Sequence, residues 1–138
     1  MALPGSCVDG PDGSDARLKA PTARLRGGWF EYRDADCYVL ARRWPPRLDI
    51  CAEARFPRVA RGRLARQVRQ DLWRALQDLR GFAPVIDIRT CGGGLRLLAG
   101  GQLACGRGGA GAGDRVAMVL NDANNRRRWL AWSGRGAA

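Results

Sequence analysis

The chain is predicted to fold as an α+β domain: an antiparallel sheet of about four to six strands, built from two hairpins, with an amphipathic helix and a C-terminal helical segment packed on one face. Three observations predict this class. "RLDICAEARF" alternates apolar and polar residues at the period of a strand, "RGRLARQVRQDLWRALQDLRG" carries the 3.6-residue period of a helix, and the segment after it places a glycine turn between two runs rich in branched residues. At 138 residues the chain has room for one core.

Residues 1–27 hold Pro4, Pro11 and Pro21 among glycines without periodicity and are expected to form a flexible arm, leaving 28–138 as the single domain. "WFEYR" and "CYVLARRW" read as strands that end at Pro45 and Pro46. In the next strand Leu48, Ile50, Ala52, Ala54 and Phe56 share one face, and Arg47, Asp49, Glu53 and Arg55 the other. The helix follows over Arg61 to Gly81, where glycine suits the position after a C-cap. "APVIDIRT", the "CGGG" turn and "LRLLA" predict a hairpin, and Gly100–Gly101 predicts a second turn before a short strand "QLA". The glycine-rich 106–113 reads as a loop. Asp114 is then placed to cap "RVAMVL", and "NDANNRRRWLAW" either continues that helix or restarts at Asp122 or Asn124. The order strand, strand, helix occurs twice, which suggests a duplicated plan.

On a helical wheel at about 100° per residue, Leu64, Val68, Leu72, Ala75, Leu76 and Leu79 fill an arc of roughly 120°. Trp73 lies about 120° from the centre of that arc, beside Arg66, Arg69, Gln77 and Arg80. Asp71, Asp78 and Arg74 take the opposite shoulder, with Arg74 and Asp78 spaced for an i, i+4 pair. A tryptophan among arginines admits three explanations: it is covered by the sheet edge, the N-terminal arm or a subunit partner with a neighbouring arginine stacked on it, it stacks on an unpaired base, or it anchors a protein partner.

The net charge is +11, from 24 basic and 13 acidic residues, and all the basic ones but Lys19 are arginines. Richness in Ala, Gly and Arg matches a GC-rich genome, so the arginine preference carries little weight; the excess itself points to polyanions or acidic protein surfaces. Most of it lies in 61–80 and 114–138, and the second segment repeats the first's composition as "RRRWLAW". The two helices are therefore expected to share one basic aromatic surface, or else the second is a solvated charge run with its tryptophans tucked inward.

Cys7, Cys37, Cys51, Cys91 and Cys105 are an odd set without a C-x-x-C pair, and histidine is absent. No zinc site, metal or cofactor is expected, and the cysteines are expected to be reduced thiols in a cytoplasmic protein, with Cys37, Cys51 and Cys91 buried. No apolar run is long enough to span a bilayer. Serines and cysteines without a histidine base argue against nucleophilic catalysis. Asp49 and Glu53 begin about 13 Å apart along a strand, too far to share an ion, and Asp87 is placed to pair with Arg89 or Arg96. "GRGGAG" at Gly106–Gly111 lacks the strand and acid of a dinucleotide loop, and "RGG" at Arg26 and Arg107 is too sparse for an RNA-binding tract.

The expected function is a small, basic, non-enzymatic nucleic-acid-binding protein of bacterial or phage type, acting on DNA or RNA through Arg63, Arg66, Arg69, Trp73, Arg80, Arg126, Arg127, Arg128, Trp129 and Trp132. The alternative is an adaptor or inhibitor that docks on an acidic protein surface with the same residues. A homodimer is compatible with both.

Overall fold

A computed structural model describes residues 20–104 and 111–134. Six strands, β1 (Ala23–Leu25), β2 (Trp29–Arg33), β3 (Cys37–Ala41), β4 (Ile50–Pro57), β5 (Ala83–Cys91) and β6 (Gly94–Gln102), form one antiparallel sheet in the order β1-β2-β3-β5-β6-β4. Three helices, α1 (Arg61–Leu76), α2 (Ala112–Asn121) and α3 (Ala123–Gly134), pack on one face, giving the expected α+β class. Among the described residues no helix is long and apolar enough to cross a membrane.

Chain order and sheet order diverge after β3. The segment leaving β3 reaches the far edge of the sheet, α1 crosses back over β3 and β5, and the β5–β6 hairpin fills the gap between β3 and β4. The suggested strand-strand-helix duplication is therefore not the observed plan, since four strands precede α1 and two follow it.

The alternation in β4 is observed, with Ile50, Ala52, Ala54 and Phe56 buried toward the helices and Glu53 and Arg55 exposed. The core joins this row to Tyr38, Leu40, Ile86, Ile88 and Leu97 of the central strands and to Leu64, Val68, Leu72 and Leu76 of α1. Burying such side chains stabilises the fold by about 1.5–3 kcal/mol each before conformational entropy is subtracted. On the opposite face Trp44 and Leu48 lie over Cys37, Val39, Ala41 and Val85, so that side is partly covered; Leu48, expected on the Ile50 face, precedes β4 and packs here instead. Beyond this cover Asp87 is buried and ion-paired to Arg89 at 3.1 Å, as its spacing predicted, while Arg55 and Arg96 both pair with Glu53 at 3.3 Å.

Several local expectations are corrected. Ala23–Leu25 lies within the predicted arm but pairs with β2 through a turn at Arg26, Gly27 and Gly28, where both glycines have positive φ; three residues are too few for a period to be read, yet the turn was visible as "RGG". Residues 1–19 of that arm lie outside the described residues, as do Cys105 and 106–110 of the glycine-rich loop. Gly100 and Gly101 do not turn: β6 runs through them because Gly100 sits against the carbonyl oxygen of Ile50 and Gly101 against that of Ala83, leaving no room for a Cβ. α1 ends at Leu76, and a turn follows to Gly81, whose φ is +70°. α2 starts at Ala112, so Asp114 lies in its first turn and does not cap it. The helix does restart at Asp122, which has extended backbone and accepts the Asn125 N–H through its carboxylate at 2.9 Å.

The cysteines also depart from expectation. Cys51 is disulfide-bonded, while Cys37 and Cys91 are free thiols. Disulfides are uncommon in a reducing cytoplasm, so the expectation of uniformly reduced thiols fails at Cys51. Cys37 is buried as expected, but Cys91 is exposed beside the β5–β6 turn, with the Arg55 guanidinium 3.3 Å from its sulfur.

Candidate functional site

The two basic segments lie on different sides of α1. Asp71 and Trp73 are two residues apart, about 200° around the helix, and each marks one flank. On the Asp71 flank, Arg128 of α3 approaches the carboxylate at 2.5 Å and the indole N–H of Trp129 donates to it at 2.6 Å. Farther along, Arg115 of α2 makes a two-pronged contact with Asp78 at 2.7 and 3.2 Å and donates to the Ala75 carbonyl. That contact holds the Asp78 carboxyl below the usual carboxylate range and raises the arginine. Arg74 pairs with Asp71 at 3.8 Å, so the predicted Arg74–Asp78 pair is replaced by Arg74–Asp71 and Arg115–Asp78. Both acids of the α1 segment are thereby engaged by its own helix and by α2 and α3.

This docking corrects part of the predicted site. Trp129 is fully buried against Phe56, at 6.2 Å between ring centroids, and cannot touch a partner. Arg126 lays its guanidinium 4.2 Å from the Phe56 ring and donates to the carbonyls of Arg55 and Leu120, which makes it a brace for the edge of β4. Arg128 is tied to Asp71 and Asn125. Arg127 is exposed, bonded to Asn124 at 3.0 Å, and Trp132 is 54% exposed. The expected shared surface is absent, because α3 reaches α1 on the flank opposite Trp73.

The other flank retains its arginines. Strands β1 and β2 extend the sheet past the region that α1 covers, so their helix-side residues Leu25, Trp29 and Glu31, all half-buried, form a ledge with α1 as its wall. α1 runs antiparallel to β2. Near its start Gly62 lies by Arg33 and Tyr38; farther on, the Arg69 guanidinium covers Trp29 at 4.5 Å from the ring centroid. Arg42, at the end of β3, approaches the same ring at 5.7 Å and donates to the Gly27 carbonyl. Trp29 was not singled out by periodicity, since its role depends on the distant Arg69; the signal available in the sequence was a second tryptophan beside a glycine turn.

Glu31 is the acid of the ledge. It accepts a hydrogen bond from the buried Tyr38 hydroxyl and lies 3.7 Å from Arg33. Burial, then this hydrogen bond, push the Tyr38 phenol well up, so it stays a donor. Burial first, and then the charge of Arg66, hold Arg69 below the usual arginine range; arginine stays protonated regardless. Arg63 and Arg66 are exposed along the wall, and Arg80 is exposed in the turn beyond it.

Trp73 stands one helical turn beyond Arg69. Its indole stacks on Phe82 with 6.3 Å between centroids and 9° between planes, and it remains 45% exposed. Internal cover therefore accounts for part of its surface, with a phenyl ring and not an arginine as the stacking partner.

A second concavity, of about 410 Å³, lies at the start of α1 between Asp36, Arg58, Arg61 and Thr90. Asp36 accepts from the Thr90 hydroxyl, and Arg61 donates to the Asp34 carbonyl at 2.9 Å. Its lining sets two arginines against one aspartate, whereas the ledge gathers Arg33, Arg42, Arg66 and Arg69 around the single acid Glu31. No family model, curated protein or solved structure matches this chain, so the chemistry of the ledge rests on its own residues.

Proposed function

We propose that the protein is a small, non-enzymatic nucleic-acid-binding protein and that the ledge between α1 and β2 is its binding strip. The observation that carries this reading is the one-sided use of charge on α1. Asp71 and Asp78 serve Arg128 and Arg115 on one flank, while Arg66, Arg69 and Arg33 gather on the other with Glu31 between them. A phosphate backbone is the ligand that relieves such crowding, and exposed indole beside it offers a stacking surface for bases. Contacts of this kind follow the backbone and read little sequence. No cofactor or metal enters the reading. The cytoplasm is the compartment proposed with it, against which the Cys51 disulfide is the opposing observation.

The test is fluorescence anisotropy of labelled oligonucleotides with nuclease-treated protein over a salt series. Affinity should fall steeply with salt, and Arg66→Glu with Arg69→Glu should remove most of it, whereas Arg127→Gln should not. No binding at low salt would overturn the proposal.

A second reading, docking on a protein, is favoured by a different surface: Trp132 on α3 and Met118 on α2 are 54% and 72% exposed. Exposed aromatic and methionine side chains suit a protein interface, including one between two copies of this chain. There Trp132→Ala would abolish the interaction and the ledge substitutions would leave it intact.

A further inference from the structure

Resting on the nucleic-acid reading, we infer that the ledge takes a single strand with unpaired bases and excludes duplex. The geometry of Trp73 points this way. Its ring is held parallel to Phe82 in an offset arrangement and stays 45% exposed, so a base can stack on open indole whose orientation is already fixed. Base faces are available in a single strand and are covered by neighbouring base pairs in a duplex interior. Trp73 does not have the shape of an intercalating wedge either, because such side chains enter from a protruding tip, and this indole lies along the flank of a packed helix.

The position of α1 supports the same conclusion. A helix enters the major groove, about 12 Å wide, only where its exposed side stands clear of its own protein. Beside the basic flank of α1 the sheet continues as β1 and β2, and Arg69 bridges from the helix to Trp29. The flank is thus one side of a step whose floor is Leu25, Trp29 and Glu31. A step of this kind accommodates one backbone along the row Arg33, Arg66 and Arg69, with bases turned toward Trp73. From Gly62 to Trp73 the wall is about 16 Å long, enough for a few nucleotides.

The experiment compares fluorescein-labelled oligo-dT and oligo-U strands of about 12 nucleotides with a mixed-sequence duplex of equal length, by anisotropy at low salt, and follows indole quenching in the same titrations. Both strands should bind at least about tenfold more tightly than duplex and quench tryptophan emission. Trp73→Phe should stay within about threefold of the parent while losing most of the quench, and Trp73→Ala should lose about tenfold or more. A preference of dT over U, or the reverse, would assign the strand to DNA or RNA within the proposal. Duplex binding as tight as strand binding would overturn it, as would a Trp73→Ala variant that binds strands as tightly as the parent. The wild-type comparison does not depend on either variant folding. Failure of strands and duplex alike would instead remove the nucleic-acid reading on which it rests.

Discussion

The guanidinium of Arg69 on α1 lies 4.5 Å from the ring centroid of Trp29 on β2, and this contact joins the helix layer to the overhanging edge of the sheet. It sets the spacing of the step and holds an arginine where two others, Arg66 and Arg42, already stand near. The favourable quadrupole interaction offsets part of that repulsion.

If the contact couples the two elements, Arg69→Ala and Trp29→Ala should be non-additive in urea unfolding. The expected coupling is about 1 kcal/mol, in the range for a partly desolvated cation over indole. Additivity within about 0.3 kcal/mol would show that each side chain acts alone.

Asp71 has a structural task that its neighbours on the helix do not share. It accepts the only hydrogen bond made by the Trp129 indole and also meets Arg128. Asp71→Ala leaves a buried N–H without an acceptor and should cost about 1–3 kcal/mol in denaturant unfolding. Oligonucleotide affinity of the folded protein should not fall, since the substitution is on the flank away from the ledge and removes a negative charge. A loss of binding would show that α3 contributes to the strip after all.

The arginines of α3 give the sharpest contrast between sequence and structure. Arg126→Gln should destabilise the fold by removing the brace on the Arg55 carbonyl and the Phe56 ring, with little effect on binding; Arg66→Gln should do the reverse. Thermal unfolding and anisotropy on the same two variants separate the roles. The α1 stripe and the β4 alternation were legible because their core neighbours recur at a fixed period. The inward side of α3 was not, because it runs through Asn125, Arg126, Trp129 and Ser133, a row mostly polar in letters that becomes internal only through Asp71, Phe56 and the carbonyl groups it meets. Trp129 and Trp132 are alike in sequence context, and only the docking of α3 decides which one is buried. The ledge was half legible for the same reason: Arg66, Arg69 and Trp73 follow from the wheel, whereas Trp29, Arg33 and Arg42 are brought to them by strand pairing.

The free thiols should separate by reactivity. Cys91 is exposed, whereas burial, followed by the nearby Asp87 charge, pushes the Cys37 thiol up to about 11. Alkylation mapped by mass spectrometry should label Cys91 well before Cys37 at neutral pH. Because the folded state holds the Cys37 proton more tightly than the unfolded chain, this group's contribution is fully present below the ordinary thiol value of 9.0 and is lost as pH rises through about 11. Unfolding midpoints measured across that window should fall, and Cys37→Ala should flatten the decline.

Gly100 and Gly113 provide a matched pair in which the same added methyl group has opposite effects. At Gly100 a Cβ would press into the Ile50 carbonyl and the Cys51 backbone, two groups fixed by the β4–β6 ladder. Since backbone cannot move without breaking that pairing, Gly100→Ala should destabilise by more than about 3 kcal/mol or abolish folding. At Gly113, inside α2, the nearest atom is the Cys51 carbonyl oxygen at 3.8 Å, an ordinary contact. There alanine meets no obstacle and restricts the unfolded chain, so Gly113→Ala should stabilise by about 0.5–1 kcal/mol. Circular dichroism melts of the two variants check both signs. A tolerated alanine at Gly100 would show that the Ile50–Cys51 backbone yields to the added methyl group and that the pairing there is not rigid.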